Sequence, residues 1–314
     1  MPSNVRIGSR GSELALWQSR HVKSLLEELF SVIVINVQTI KTTGDKILDT
    51  PLAKIGDKGL FTKELEAALL DERIDLAVHS FKDVPTAIPE GLAIAAVLER
   101  EDVRDVFISH PKSLNKLFMT LPRHAVIATG SLRRKCQALN ARQDIQIVDI
   151  RGNLNTRIKK LDESNWDGII LAKAGVTRLG WAQRITEILP FEIMLPAVGQ
   201  GALAVEIRNG DKRIEELLRT LHHLPTALTV TAERSLLRHL EGGCQIPIGA
   251  YGQVQGNELR LDAVIGSLDG KRMVKGSRSG SQADAERIGI ELAEELLKRG
   301  GKEILDEIRH STSP

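Results

Sequence analysis

Ala125-Val126-Ile127-Ala128-Thr129-Gly130-Ser131-Leu132-Arg133-Arg134 compresses a structural unit into ten residues. Four apolar residues predict a short buried strand, Thr129-Gly130-Ser131 a turn with a capping hydroxyl, and Leu132 onward a helix. The design returns twice. Ile145 to Ile150 predicts a strand that runs into Arg151-Gly152-Asn153 and a helix through Leu161. Asp167 to Ala172 predicts another, followed by Lys173-Ala174-Gly175 and a short helix carrying Arg178. Strands alternating with helices imply an α/β layer with a largely parallel sheet. Such sheets bind ligands beyond the carboxyl ends of their strands, where helix N-termini present free N–H groups to anions.

Upstream, Val5-Arg6-Ile7-Gly8-Ser9 predicts a strand. After Arg10-Gly11-Ser12, the residues Leu14, Trp17, His21, Leu25 and Leu29 fall on one helical face at steps of three and four. His21 on that row is expected at the core boundary, not as a ligand. Val32 to Ile40 is β-rich, and Phe61, Leu65, Ala68 and Leu69 mark a helix. Asp75 to His79 predicts a strand ending at Ser80-Phe81-Lys82-Asp83-Val84-Pro85. Downstream, Leu195 to Gly201 reads as a crossing segment and Ala202 to Ile207 as a returning strand. If that strand rejoins the first sheet, the first domain is discontinuous. From Pro225 the pattern predicts a helix to Leu240, a loop, a hairpin around Asp269-Gly270 and a long helix from Gln282 to Arg299. The expected domains are 1–100 with 200–222, then 101–199, then a small α+β domain over 223–314.

Composition sets limits. A chain of 314 residues is long enough for two or three domains. The net charge of +2 gives no global field for nucleic acid or an acidic membrane, and 3% aromatics argues against base-stacking platforms. The most apolar runs, such as Leu92 to Leu98, are far too short to span a bilayer, and no signal-like stretch opens the sequence. A cytoplasmic location is expected, with Cys136 and Cys244 as free thiols. The two cysteines lack metal-ligand spacing, so no metal is expected. Phosphate-loop, dinucleotide-binding and esterase-elbow patterns are missing.

Arg10, Arg133, Arg134, Arg151, Arg157 and Arg178 stand at predicted strand ends or in the first turns of following helices. A guanidinium binds carboxylate or phosphate bidentately and stays charged at any working pH. One such residue is more often a solvated surface group. Recurrence at equivalent edges of two domains points instead to a ligand with several acidic groups. The Ser131 hydroxyl adds a neutral donor, and Lys54 and Lys58 flank Gly56 in a basic loop able to cover a cleft. Asp83 is the best single candidate for acid–base or cation-stabilising work, against the reading of a helix cap or surface carboxylate. Glu241-Gly242-Gly243-Cys244-Gln245-Ile246-Pro247 predicts a loop that carries an accessible thiol at its tip. A lone loop cysteine is usually inert; the arginines shift the balance toward a nucleophile or covalent tether.

Read together, the blocks around Arg10 to Gln18, Leu52 to Phe61, His79 to Pro85, Gly130 to Arg134, Arg151 to Asn153, Leu195 to Ala202 and Glu241 to Pro247 resemble the porphobilinogen deaminase family, in order along the whole chain. The resemblance implies two periplasmic-binding-protein-like α/β domains plus a small α+β C-terminal domain bearing a cofactor cysteine. It implies a dipyrromethane cofactor joined by a thioether to Cys244, onto which four porphobilinogen molecules condense with loss of ammonia, water then releasing hydroxymethylbilane. Asp83 is implied as the residue at the pyrrole nitrogens that stabilises the developing positive charge. Cofactor contacts fall on Lys82, Asp83, Thr129, Gly130, Ser131, Arg133, Arg134 and Arg157. Substrate contacts fall on Arg10, Ser12, Gln18, Phe61, Arg151, Arg157, Arg178 and Gln200, and Lys54 and Lys58 belong to an active-site loop. Gly130 departs from a frequent serine and Phe81 from a frequent methionine. The expected partner is the small-molecule substrate, with no nucleic acid or membrane, and a monomer is expected. The competing reading is a non-catalytic anion-binding protein on the same scaffold; Cys244 and Asp83 favour catalysis.

Overall fold

The structure is a computed structural model that describes residues 4–46, 59–113, 116–241 and 246–312. These fall into two compact units, split where the chain passes Glu101 and Asp102, Gln200 and Gly201, and Ala227 and Leu228.

The first unit is built on β1 (Asn4–Ser9), β2 (Val34–Thr39), β3 (Leu76–Ser80), β4 (Leu92–Val97) and β10 (Leu203–Arg208), in the order β2-β1-β3-β10-β4. Helices α1 (Glu13–Leu29) and α2 (Lys63–Leu70) follow the strand-end turns. The returning strand does rejoin this sheet, antiparallel between β3 and β4. The buried stripe of α1 is Ala15, Gln18, Ser19, Val22 and Leu26, not the predicted row; Leu29 is 54% exposed. The polar Gln18 is accommodated on this buried row because its amide donates to the half-buried Ser80 on β3. Trp17 and His21 stack at the boundary, with ring centroids 5.0 Å apart.

The second unit contains β5 (Asp105–Ser109), β6 (Val126–Ala128), β7 (Gln146–Val148), β8 (Gly168–Ala172) and β9 (Glu187–Ile188), in the order β7-β6-β8-β5-β9. Helices α3 (Leu132–Ala141), α4 (Leu154–Asp162) and α5 (Lys173–Arg178) follow β6, β7 and β8. In each five-stranded sheet four strands run one way and one runs against them, so the sheet is largely parallel as expected, with the two pairings of the reversed strand antiparallel. The exceptions are β5 and β10. Neither is reached by a helical crossover from a strand of its own sheet, the connection that makes neighbours parallel. Each is instead the first strand formed after the chain leaves the other unit.

The same unit also holds an antiparallel meander of β11 (Ile248–Gln255), β12 (Glu258–Gly266) and β13 (Met273–Ser281). Against it pack α7 (Leu224–His239), α8 (Ala285–Leu296) and α9 (Lys302–Thr312), around Leu236, Leu261, Leu292, Leu296 and Leu305. A short α6 (Lys212–Leu218) belongs to the first unit. Two elements were not legible in the sequence. Gly249 and Gly252 disguise β11 as loop, yet a Cβ at either would lie 3.0 Å from the carbonyl oxygen of Leu195 or Thr229. They are glycines because the strand packs there backbone to backbone. The helix predicted over Gln282 to Arg299 ends where Gly300 takes a φ of 103°, but it does not close the chain: α9 follows it and was not predicted.

Candidate functional site

In the first unit, β1 and β3 are parallel neighbours, so their carboxyl ends open onto one edge. Arg10 follows β1, and its guanidinium carbon lies 4.2 Å from the centroid of the Phe61 ring, a cation–π contact. Ser12 caps α1 by accepting the Ala15 N–H at 3.3 Å. Gln18, 3% exposed, donates from Nε2 to Ser80 Oγ at 2.8 Å. The chain then enters a single 3-10 turn, Phe81–Asp83. The Phe81 N–H donates to Ala202 O at 3.0 Å, which holds the start of this turn against the strand that returns. Lys82 and Asp83 are half-buried on it. Among the described residues no hydrogen bond or ion pair engages the Asp83 carboxylate, so its acceptor capacity is uncommitted.

In the second unit, β7, β6 and β8 are consecutive parallel neighbours, and the three turns beyond them share an edge. Thr129 Oγ1 accepts the Ser131 N–H at 3.3 Å, and Ser131 Oγ caps α3 through the Arg134 N–H at 3.4 Å. A Cβ at Gly130 would stand 2.4 Å from Ile150 O, so the turns after β6 and β7 touch through backbone alone. That contact is a local reason for glycine at this position. Gly152, with a φ of 111°, makes the sharp exit from β7, and Asn153 caps α4 through the Thr156 N–H at 2.9 Å. Arg157 Nε donates to Gly152 O at 2.8 Å. Burial lowers the proton affinity of Arg151, opposed by the nearby Asp149 carboxylate. Arg178 is buried on α5, just after β8.

Beneath that edge lies a residue that sequence reasoning missed. Asp105 is fully buried and accepts from Arg133 Nη1 at 2.6 Å, Arg134 Nη2 at 2.8 Å and Gln200 Nε2 at 2.9 Å. Burial would raise its carboxyl, yet the charges of Arg133 and Arg134 hold it well below the usual carboxylate range. Arg134 is engaged through all three nitrogens, the third on Ile170 O, and Gln200 gives its amide nitrogen to Val103 O as well. Both therefore support Asp105 beneath the edge. Arg133 differs. Its Nη1 also donates to Leu195 O at 2.7 Å, but Nε and Nη2 find no acceptor among the described residues. Two guanidinium groups against one carboxylate leave a net charge of +1 in a cluster whose arginines are each 5% exposed. Uncompensated buried charge is costly, and an anion at Arg133 relieves it. The only sequence sign of Asp105 was a carboxylate opening the apolar run Val106-Phe107-Ile108.

The two cysteines separate. Cys136 is fully buried, and burial pushes its thiol up to about 12, which removes it as a nucleophile. Cys244, Lys54 and Lys58 lie outside the described residues. Among the described residues no group of three or more His, Cys, Asp or Glu side chains could hold a metal, and no helix is long and apolar enough to cross a membrane.

Family comparison meets this geometry directly. Residues 5–216 match the porphobilinogen deaminase dipyrromethane cofactor binding domain, and 227–298 match the porphobilinogen deaminase C-terminal domain. The chain belongs to the porphobilinogen deaminase family. Among its relatives, the porphobilinogen deaminase of Carboxydothermus hydrogenoformans is 55% identical across 100% of both chains. That of Desulforamulus reducens is 53% identical over 98% of this chain and 99% of its own. Among solved structures, the periplasmic aliphatic sulphonate binding protein SsuA from Escherichia coli overlaps with a TM-score of 0.42 at 15% identity, covering 77% of this chain and 71% of that one. The cofactor-binding match contains both strand edges, and the C-terminal match contains Cys244. The family's cofactor-binding domain thus spans the arginine-bearing turns of this chain.

Proposed function

We propose that this member of the porphobilinogen deaminase family condenses four porphobilinogen molecules head to tail, with loss of ammonia, on a dipyrromethane primer held as a thioether at Cys244, and releases hydroxymethylbilane by hydrolysis. The observation that carries this reading is the buried +1 cluster of Arg133, Arg134 and Asp105, with two guanidinium nitrogens of Arg133 unengaged among the described residues. That donor set fits a dipyrromethane, whose acetate and propionate groups are the anions it lacks. When bound, the primer supplies a nucleophilic pyrrole α-carbon that does not dissociate between condensations.

The residues of the chain divide the remaining work. Arg133, with Thr129, Ser131 and the backbone at Gly130, holds primer carboxylates, while Arg134 and Gln200 fix Asp105 below. Arg151, Arg157 and Arg178, on the next two turns of the same edge, hold the carboxylates of later rings. On the first unit Arg10, Ser12 and Lys82 bind acidic groups, Phe61 adds an apolar wall, and Gln18 orients Ser80. Asp83 accepts hydrogen bonds from pyrrole N–H groups, and its negative charge stabilises the cation that develops as ammonia departs. Lys54 and Lys58 form the covering loop. We assign the domains as 1–100 with 200–222, 101–199 and 223–314, in a monomer located in the cytoplasm.

A binding protein on the same scaffold would use the arginines but would need neither an uncommitted Asp83 nor a tether. Intact-mass measurement before and after adding porphobilinogen separates the two. The expected result is a primer adduct on the purified protein and stepwise additions of pyrrole mass. Cys244→Ala is expected to fold, lose the adduct and give no colour with acidic p-dimethylaminobenzaldehyde. Normal turnover by that variant would refute the tether.

A further inference from the structure

Behind the Phe81–Asp83 turn lies a buried set of titratable side chains that the proposed mechanism does not use. His79 Nε2 and Glu206 Oε2 are 3.1 Å apart, with the two side chains 3% and 1% exposed. Glu66 on α2 is buried close enough that the charges of Glu206 and His79 both act on it. Oε1 of Glu66 and Oε1 of Glu206 have no hydrogen-bond partner among the described residues. The three groups are electrically neutral together only when two protons are shared among them. Burial raises the proton affinity of Glu66.

Apolar residues of similar size fill such a core position at least as stably as a buried ion pair, so stability alone does not account for this set. Its geometry gives it another use. In the antiparallel pairing of β3 with β10, His79 faces Ala204 and Ala77 faces Glu206. The bonded pair therefore spans a diagonal of the sheet, and the small Ala77 and Ala204 leave room for it. A shift of one residue would turn one partner to the opposite face, so the contact fixes the register of β10 against β3. That register decides where Ala202 O meets the Phe81 N–H, 3.0 Å away, and so where the turn that carries Asp83 begins.

We propose that His79, held by Glu206, is a positioning residue that sets the Phe81–Asp83 turn for the condensation, an inference that rests on the function proposed above. It acts through the backbone and touches no reacting atom. Displacing a catalytic group by about 1 Å costs up to about 100-fold in rate, so the pair shows itself in turnover before it shows in binding. The test uses primer-loaded, full-length protein, with loading checked by intact mass. Steady-state porphobilinogen consumption is compared for wild type, His79→Ala, His79→Gln, Glu206→Gln and a control, Val78→Ala. Val78 is equally buried on β3 but points to the other face. The expected result is a fall in kcat of about tenfold or more for His79→Ala and Glu206→Gln, with KM moving less than about threefold. His79→Gln, which keeps a donor toward Glu206, recovers part of kcat, and Val78→Ala lowers the melting temperature without that loss of kcat. A folded His79→Ala or Glu206→Gln with wild-type kcat, or a Val78→Ala loss as large as theirs, overturns the inference. Wild type that fails to consume porphobilinogen overturns the proposed function instead.

Discussion

Two carboxylates, Asp83 and Asp105, do opposite things because their surroundings differ. Asp83 is half-buried, and no donor among the described residues engages it, so its charge is available to a ligand cation. Replacing it with asparagine keeps the shape and removes the charge. Turnover is expected to fall about 100-fold or more while the primer stays attached, measured as kcat beside intact mass. Equal losses in primer retention and turnover would show that Asp83 only binds. Asp105 is committed entirely to Arg133, Arg134 and Gln200. Asp105→Asn strands two buried guanidinium groups and is expected to cost about 3–5 kcal/mol in urea unfolding at pH 7. The folded carboxyl titrates below its unfolded value, so the stability that depends on its ionisation is complete above about pH 4 and is lost as the pH falls from there. The gap between wild type and Asp105→Asn should therefore narrow at pH 3; a constant gap would exclude this origin. The arginines were legible in the sequence because they recur just beyond β1, β6, β7 and β8. Asp105 was not, because its partners are 28, 29 and 95 residues away.

Helices α3 and α4 begin where the sequence predicts, because Ser131 and Asn153 are residues that cap their own helices. Local signals of that kind act within three or four residues and are visible without the fold. Strand β11 is the opposite case. Its glycines read as breakers, and only the approach of Thr229 and Leu195 shows why side chains are excluded there. Glu233, fully buried on α7, accepts the Gly252 N–H and the Gly199 N–H at 2.8 Å each, so one carboxylate ties helix, strand and crossing segment together. Gly252→Ala is expected to destabilise by about 1–3 kcal/mol, since the new methyl meets Thr229 at 3.0 Å. A urea midpoint unchanged from wild type would mean that α7 yields freely. The orientation of α1 also needed the fold: the buried row includes the polar Gln18 and Ser19, and only the structure shows Gln18 donating to Ser80.

At the scale of the molecule, β10 lies between β3 and β4 but is separated from β4 in the chain by the stretch Asp102–Gln200 of the other unit. A fragment ending at Gln200 lacks that strand, leaves β3 and β4 without their shared partner, and exposes the core face lined by Leu76, Val78 and Ala96. It is expected to show little protection of β1 to β4 in hydrogen exchange, where the full chain protects them; native-like protection would mean that three parallel strands suffice. The sequence by itself determined the alternation of strands and helices and the arginine-bearing turns, because each of these is written in residues close together along the chain. Only the tertiary structure decided that β5 and β10 run antiparallel to their neighbours, that Asp105 neutralises one of two buried arginines, and that His79 meets Glu206. Those outcomes depend on residues brought together across long stretches of chain, where burial makes an unpaired charge or an unmatched strand too costly to leave alone.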